Sequence, residues 1–167
     1  MIYAKNEREE FDLLSKIFRQ LRGMKILIKL KPNNNNRINA QRKNLFDVLQ
    51  KQTSCRLEIF SSGAKYPWEI VYYNNAKDFK DAAFMSSSFS TALISPKKFF
   101  GTENNIICLS NLFSRELAGF NSSTSIVELL NRIRSTYLNK NIYTPETYNE
   151  LREATNAFSR EAESTEQ

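Results

Sequence analysis

Residues 24–31 alternate strictly between two chemistries. Met24, Ile26, Ile28 and Leu30 take one parity, and Lys25, Leu27, Lys29 and Lys31 take the other. Successive side chains of a strand point to opposite faces, so this spacing predicts a half-buried strand with a basic outer row. Pro32 and the asparagines Asn33, Asn34, Asn35 and Asn36 end it, because they suit turn geometry and supply no core side chain. A strand of this kind needs a partner strand and a layer to cover its apolar face, so the rest of the chain must provide both.

Residues 55–60 repeat the alternation, with Cys55, Leu57 and Ile59 opposed to Arg56, Glu58 and Phe60. Ser61-Ser62-Gly63-Ala64 then reads as a hairpin connection into a third strand over residues 68–73, where Trp68, Ile70 and Tyr72 oppose Glu69, Val71 and Tyr73. Ile106-Ile107-Cys108-Leu109 is a continuous apolar run, the mark of a strand buried on both faces.

Helical spacing marks residues 7–22, with Phe11, Leu14, Ile17, Phe18 and Leu21 on one stripe and Gly23 placed to end it. A second helix is expected over residues 38–50 and a helical piece around 76–85, with 86–91 a loop or short strand. Ser125 and Glu128 have the spacing of a capping box ahead of Ile126, Leu129, Leu130, Ile133 and Tyr137. Thr144-Pro145 reads as the start of a last helix carrying Tyr148, Leu151, Thr155 and Phe158. In order this is a helix, then β-α-β-β-α-β, then two helices. The expected fold is α+β with a small mixed or antiparallel sheet, of the split βαβ (ferredoxin-like) kind. One domain over residues 1–162, followed by a frayed tail over 163–167, fits the length.

The chain contains no histidine. That excludes Ser-His-Asp and Cys-His nucleophile systems, imidazole bases and histidine metal sites. Gly23, Gly63, Gly101 and Gly119 are the only glycines and lie too far apart for a Walker or dinucleotide loop. Asp47, Glu58, Glu69, Asp78 and Asp81 form no recognised metal-binding spacing. Ser95 and Lys98 have the Ser-x-x-Lys spacing without its companion motifs, and Ser95-Pro96 reads instead as a helix N-cap pair. Ser95 is also a candidate for proline-directed phosphorylation. Cys55 and Cys108 sit in apolar contexts and are expected as buried, reduced thiols. No catalytic motif, cofactor or metal site emerges.

The formal charge is +6, and it is uneven: residues 16–56 hold eleven bases and one acid, Asp47. With helices on one face of the sheet, the other would carry Lys25, Lys29, Lys31, Arg56 and Phe60, with Tyr73 from the third strand. Arg37, Arg42 and Lys43 extend the basic block. Cations that meet phosphates beside rings that stack bases are what single-stranded nucleic acid requires. The signature residues of RNA-recognition motifs are missing from residues 26–30 and 68–73, so no family membership follows. The expectation is a non-catalytic binding or assembly subunit, contacting nucleic acid (RNA or DNA) or a nucleoprotein through residues 16–56. An adaptor that binds an acidic protein through its terminal helices is the alternative, and a carboxylate-dependent nuclease a third reading. The charged start of the chain and its short apolar runs suggest an intracellular, reducing setting, cytoplasm or nucleus, without secretion or membrane.

Overall fold

The computed structural model describes residues 7–21, 23–29, 36–60, 66–80, 82–86, 91–117, 128, 132, 135–136 and 141–165; side chains are described there except at 7, 10, 36–42, 59, 91 and 159–165. Helices and strands are mixed, as expected, but every strand pairing among the described residues is parallel. The chain divides into two compact units, residues 1–71 and 72–167.

The first unit begins with α1 (Glu7–Gln20), whose inner side buries Leu13, Leu14, Ile17 and Phe18. Gly23 turns the chain after it with φ +84, a conformation that side-chain-bearing residues rarely adopt. β1 (Lys25–Ile28) follows, then α2 (Asn36–Thr53) and β2 (Arg56–Ile59). Because α2 returns the chain to the end where β1 began, the two strands run parallel and pair directly, Lys25 opposite Arg56 and Ile28 opposite Ile59. Phe46 and Leu49 of α2 and Cys55 join the α1 residues in the core. The Cys55 thiol faces the Phe18 and Leu21 carbonyls at 3.0 and 3.2 Å, so it serves the acceptors at the end of α1.

The third strand expected at 68–73 is instead a helix, α3 (Trp68–Asn74), which carries the chain from one unit into the next. Its first turn closes with the Val71 amide donating to the Pro67 carbonyl at 3.2 Å. The stretch is apolar at nearly every position, so Trp68, Val71 and Tyr72 satisfy helical spacing as well as strand spacing satisfies alternation. Val71 and Tyr72 are buried, while Ile70 and Tyr73 are exposed. Without that strand the split βαβ arrangement and its antiparallel pairing do not form. The proposed hairpin residues 61–64 lie outside the described residues.

In the second unit the helical piece expected around 76–85 is absent: residues 75–80 are turns, and β3 (Phe84–Ser86) follows. Then come α4 (Thr91–Phe100), β4 (Ile106–Cys108), α5 (Ser110–Glu116), β5 (Ile142–Tyr143) and α6 (Tyr148–Thr165). The sheet order is β3-β4-β5, with Phe84 opposite Ile106 and Ile106 opposite Ile142. β4 is central and buried at all three positions, as the apolar run implied. Positions 128, 132, 135 and 136 are helical; Ser125 of the expected capping box lies outside the described residues.

Two expected caps sit elsewhere. Ser95-Pro96 falls inside α4, where Pro96 removes one helical donor and is itself fully buried. α6 starts after Thr147 rather than Thr144. Thr147 Oγ1 accepts from the Glu150 amide at 3.2 Å, and the Glu150 carboxylate accepts from the Glu146 amide at 2.8 Å. This reciprocal pair satisfies two donors at the helix start and outcompetes the Thr-Pro signal. The helix runs on to Thr165, past the expected fraying point.

Both cysteines are free and buried. Burial pushes each thiol above its ordinary range, with the hydroxyls of Thr53 and Ser110 respectively opposing the shift. Neither should react with a chromogenic disulfide reagent at neutral pH while the chain is folded, and both should react in concentrated urea. Reaction of either in the native protein would contradict this packing.

Candidate functional site

The basic row is only partly assembled. Lys25 and Arg56 are exposed and directly opposite each other on β1 and β2, but Glu58 is on the same side, and its Oε2 lies 3.0 Å from Lys25 Nζ. Leu27, opposite Glu58, completes that face and is 38% exposed. The face therefore carries two bases, one acid and one leucine, a much weaker field than the alternation alone suggested. An exposed pair of this kind adds at most about 1 kcal/mol to stability. Lys29 follows β1 and is half-buried; burial holds its ammonium below the ordinary range, with Glu69 acting in the opposite direction.

Phe60 follows β2, half-buried, its amide donating to the Ile28 carbonyl at 2.9 Å. Lys43 is exposed on α2. Arg37 and Arg42 belong to the same helix, with side chains outside the description, as is Lys31 altogether. Tyr73 does not join Phe60 on a sheet: it projects from α3 in the second unit, 70% exposed, its ring 6.0 Å from that of Phe100. Ser95, the candidate for phosphorylation, is 3% exposed within α4. Lys98, its Ser-x-x-Lys partner, is exposed and lies over the Phe99 ring instead. No group of three metal-binding side chains occurs among the described residues, and none of the described helices is long and apolar enough to cross a membrane.

Parallel pairing draws attention to a place that residue spacing did not indicate. All three strands of the second unit end on one edge, at Ser86, Cys108 and Tyr143. In open parallel sheets ligands bind outside the carboxyl ends of the strands, where the following helices begin. A cleft of about 420 Å³ lies between β5 and α6, lined by Ile142 and Tyr143 of β5, by Thr144 and Pro145 after it and by Glu150, Glu153, Ala154 and Ala157 of α6. Two side-chain contacts tie α6 to its neighbours. The Tyr143 and Phe158 rings meet edge to face at 5.2 Å, and the Tyr148 hydroxyl donates to the Glu116 carboxylate at 2.9 Å. Burial, followed by that carboxylate, holds the Tyr148 phenol well above its ordinary range, so it stays a donor.

At the other side of the same edge, α4 opens just beyond β3 with no acidic residue in its first turn. The first turn of α4 thus sets no carboxylate against its positive dipole end, whereas Glu150 and the Thr147 cap already occupy the start of α6. Ser86, Ser87, Ser88, Ser90 and Thr91 surround this junction in sequence, Ser87, Ser88 and Ser90 lying outside the described residues. The serine-rich stretch was the available signal, but it reads as an ordinary loop until the neighbouring strand is known to be parallel. Compared with known proteins, the chain matches no family model, no curated protein and no solved structure.

Proposed function

We propose that the chain binds a small phosphate ester bearing hydroxyl groups, such as a sugar phosphate or nucleotide, at the carboxyl edge of the β3-β4-β5 sheet. The cleft between β5 and α6 carries this reading, because Thr144 and Pro145 extend it to the carboxyl end of β5, the side on which parallel sheets hold ligands. The phosphate belongs at the start of α4, at the positive end of the helix. Glu150 and Glu153, which line the cleft from α6, suit hydroxyl donors on the ligand. Scarcity of glycine excludes the glycine-loop folds and does not touch a site built on serine hydroxyls. The proposal is one of binding, and it assigns no catalytic step.

Thermal shift against inorganic phosphate, ribose 5-phosphate and nucleoside monophosphates tests it. A phosphorylated ligand should raise the melting temperature, and Thr91→Asp should weaken binding at least tenfold while leaving the fold intact, since aspartate suits a helix start. Glu153→Gln should weaken the hydroxyl-bearing ligands without affecting inorganic phosphate. No shift with any phosphate ester would overturn the reading.

The first unit supports a second reading, a nucleic-acid or nucleoprotein contact through residues 16–56. Lys16, Arg19, Lys25, Lys43, Lys51 and Arg56 are all exposed there, with the acids Asp47 and Glu58 beside them. Changing Lys25, Lys43 and Arg56 together to Gln should flatten the log–log salt dependence of single-strand binding by about 2 units. An unchanged slope would remove these residues from the contact.

A further inference from the structure

We propose that the second unit carries a base-stacking surface for single-stranded nucleic acid, formed by Tyr73, Phe99 and Phe100 and bordered by Lys77, Lys80 and Lys98. A row of rings leads outward from the core. Phe79 lies 6.0 Å from Tyr72 at 31°, Tyr72 lies 5.2 Å from Phe100 at 23°, and Phe100 lies 6.0 Å from Tyr73 at 35°. Tyr72 and Phe100 are stacked, and the pairs on either side of them are tilted. The row's inner end is fixed, since Tyr72 is 2% exposed and its hydroxyl bonds Asn104 at 3.1 Å. Its outer end is open, since Tyr73 is 70% exposed and Phe100 39%. A second ring, Phe99, is 61% exposed beside them in sequence, with Lys98 Nζ 5.5 Å from its centroid.

A stack that ends in an exposed ring accepts another flat ring, and the surrounding charge selects which. Lys77 and Lys80 are exposed in the turns after α3 and Lys98 in α4, and among the described residues Asp78 and Glu103 are the exposed acids nearest them in sequence. Cations beside open aromatic faces favour a ligand that alternates bases with phosphates. An open ring face suits an unpaired base, whereas a duplex keeps its base faces covered. α4 begins at the carboxyl edge of the sheet and ends at Phe100, so this surface and the small-ligand cleft are separate sites.

Binding of a fluorescent thymidine oligonucleotide of about 15 nucleotides, read by anisotropy at about 50 mM salt, is the test. Tyr73→Ala and Phe99→Ala should each weaken it about 5- to 150-fold, the equivalent of about 1–3 kcal/mol per stacked base. Tyr73→Trp should retain it. Lys77, Lys80 and Lys98 changed together to Gln should lower the salt slope by about 2 units. Unaltered melting curves would show that these exposed substitutions leave the fold intact.

Duplex DNA binding as tightly as the single strand would overturn the proposal, as would undiminished binding by Tyr73→Ala. So would displacement by polyglutamate with the same Tyr73 dependence, which would assign the surface to an acidic protein. If the Lys25, Lys43 and Arg56 variant loses binding while the Tyr73 and Phe99 variants keep it, the first unit holds the contact and this inference fails alone.

Discussion

Asn104→Asp should destabilise the second unit by about 3–5 kcal/mol, read from the shift of its urea denaturation curve at neutral pH. Asn104 is 4% exposed. Its amide nitrogen donates to the carbonyls of Phe79, Lys80 and Ala82 at 2.8, 2.9 and 2.9 Å, and its Oδ1 accepts from the Tyr72 hydroxyl at 3.1 Å. One side chain therefore gathers the turns between α3 and β3 and anchors the ring stack. Aspartate has the same shape but no donor, so it would set a buried carboxylate against three carbonyl oxygens. Asn104→Ala removes the donors without adding charge and should cost less than Asn104→Asp. A loss below about 1 kcal/mol for the aspartate variant would mean that water or a rearranged turn replaces these bonds.

Ile107→Ala should cost about 2–5 kcal/mol in the same measurement, and Ile106→Ala a comparable amount. The two side chains point to opposite faces of β4, yet they are 0% and 2% exposed. In a sheet covered on one side only, one of the two would face solvent and its truncation would be nearly neutral. Equal, large losses are the signature of a central parallel strand covered on both faces. Ile107→Val should cost only about 0.5–1.5 kcal/mol, which separates loss of packing volume from loss of strand formation. A near-neutral Ile106→Ala or Ile107→Ala would contradict the arrangement.

What was legible in the sequence had a short-range cause. α1 announces itself through apolar residues at helical spacing, β1 and β2 through alternation, and β4 through an unbroken apolar run. The buried thiols and the apolar face of α6 follow from the same logic. α3 was misread because a nearly all-apolar stretch fits two periods equally, and which one wins depends on what Val71 and Tyr72 pack against. β5 has two residues, too few to show any period. The start of α6 was misplaced because Thr144-Pro145 and Thr147-x-x-Glu150 are both valid start signals three residues apart, and only the second closes a reciprocal pair.

The candidate sites were less legible than the elements. The concentration of bases in residues 16–56 is a property of the sequence. That Glu58 approaches Lys25 from a strand 33 positions later is a property of register. Tyr73 has Phe100 rather than Phe60 as its companion, because a helix and not a strand carries it. The cleft between β5 and α6 has no signature in residue spacing, since its existence depends on how those two elements meet.

The sequence by itself determined the mixture of helix and strand, which faces are apolar, the absence of any histidine chemistry and the location of the positive charge. These depend on side-chain identity and on the repeat of a single helix or strand. Only the tertiary structure decided that the strands run parallel, that two small sheets form, and that α3 is helical. Those outcomes depend on pairings between residues far apart in the chain, whose free energy no local period records. The direction of the strands is what places their carboxyl ends on one edge, and with them the site that the chain is proposed to use.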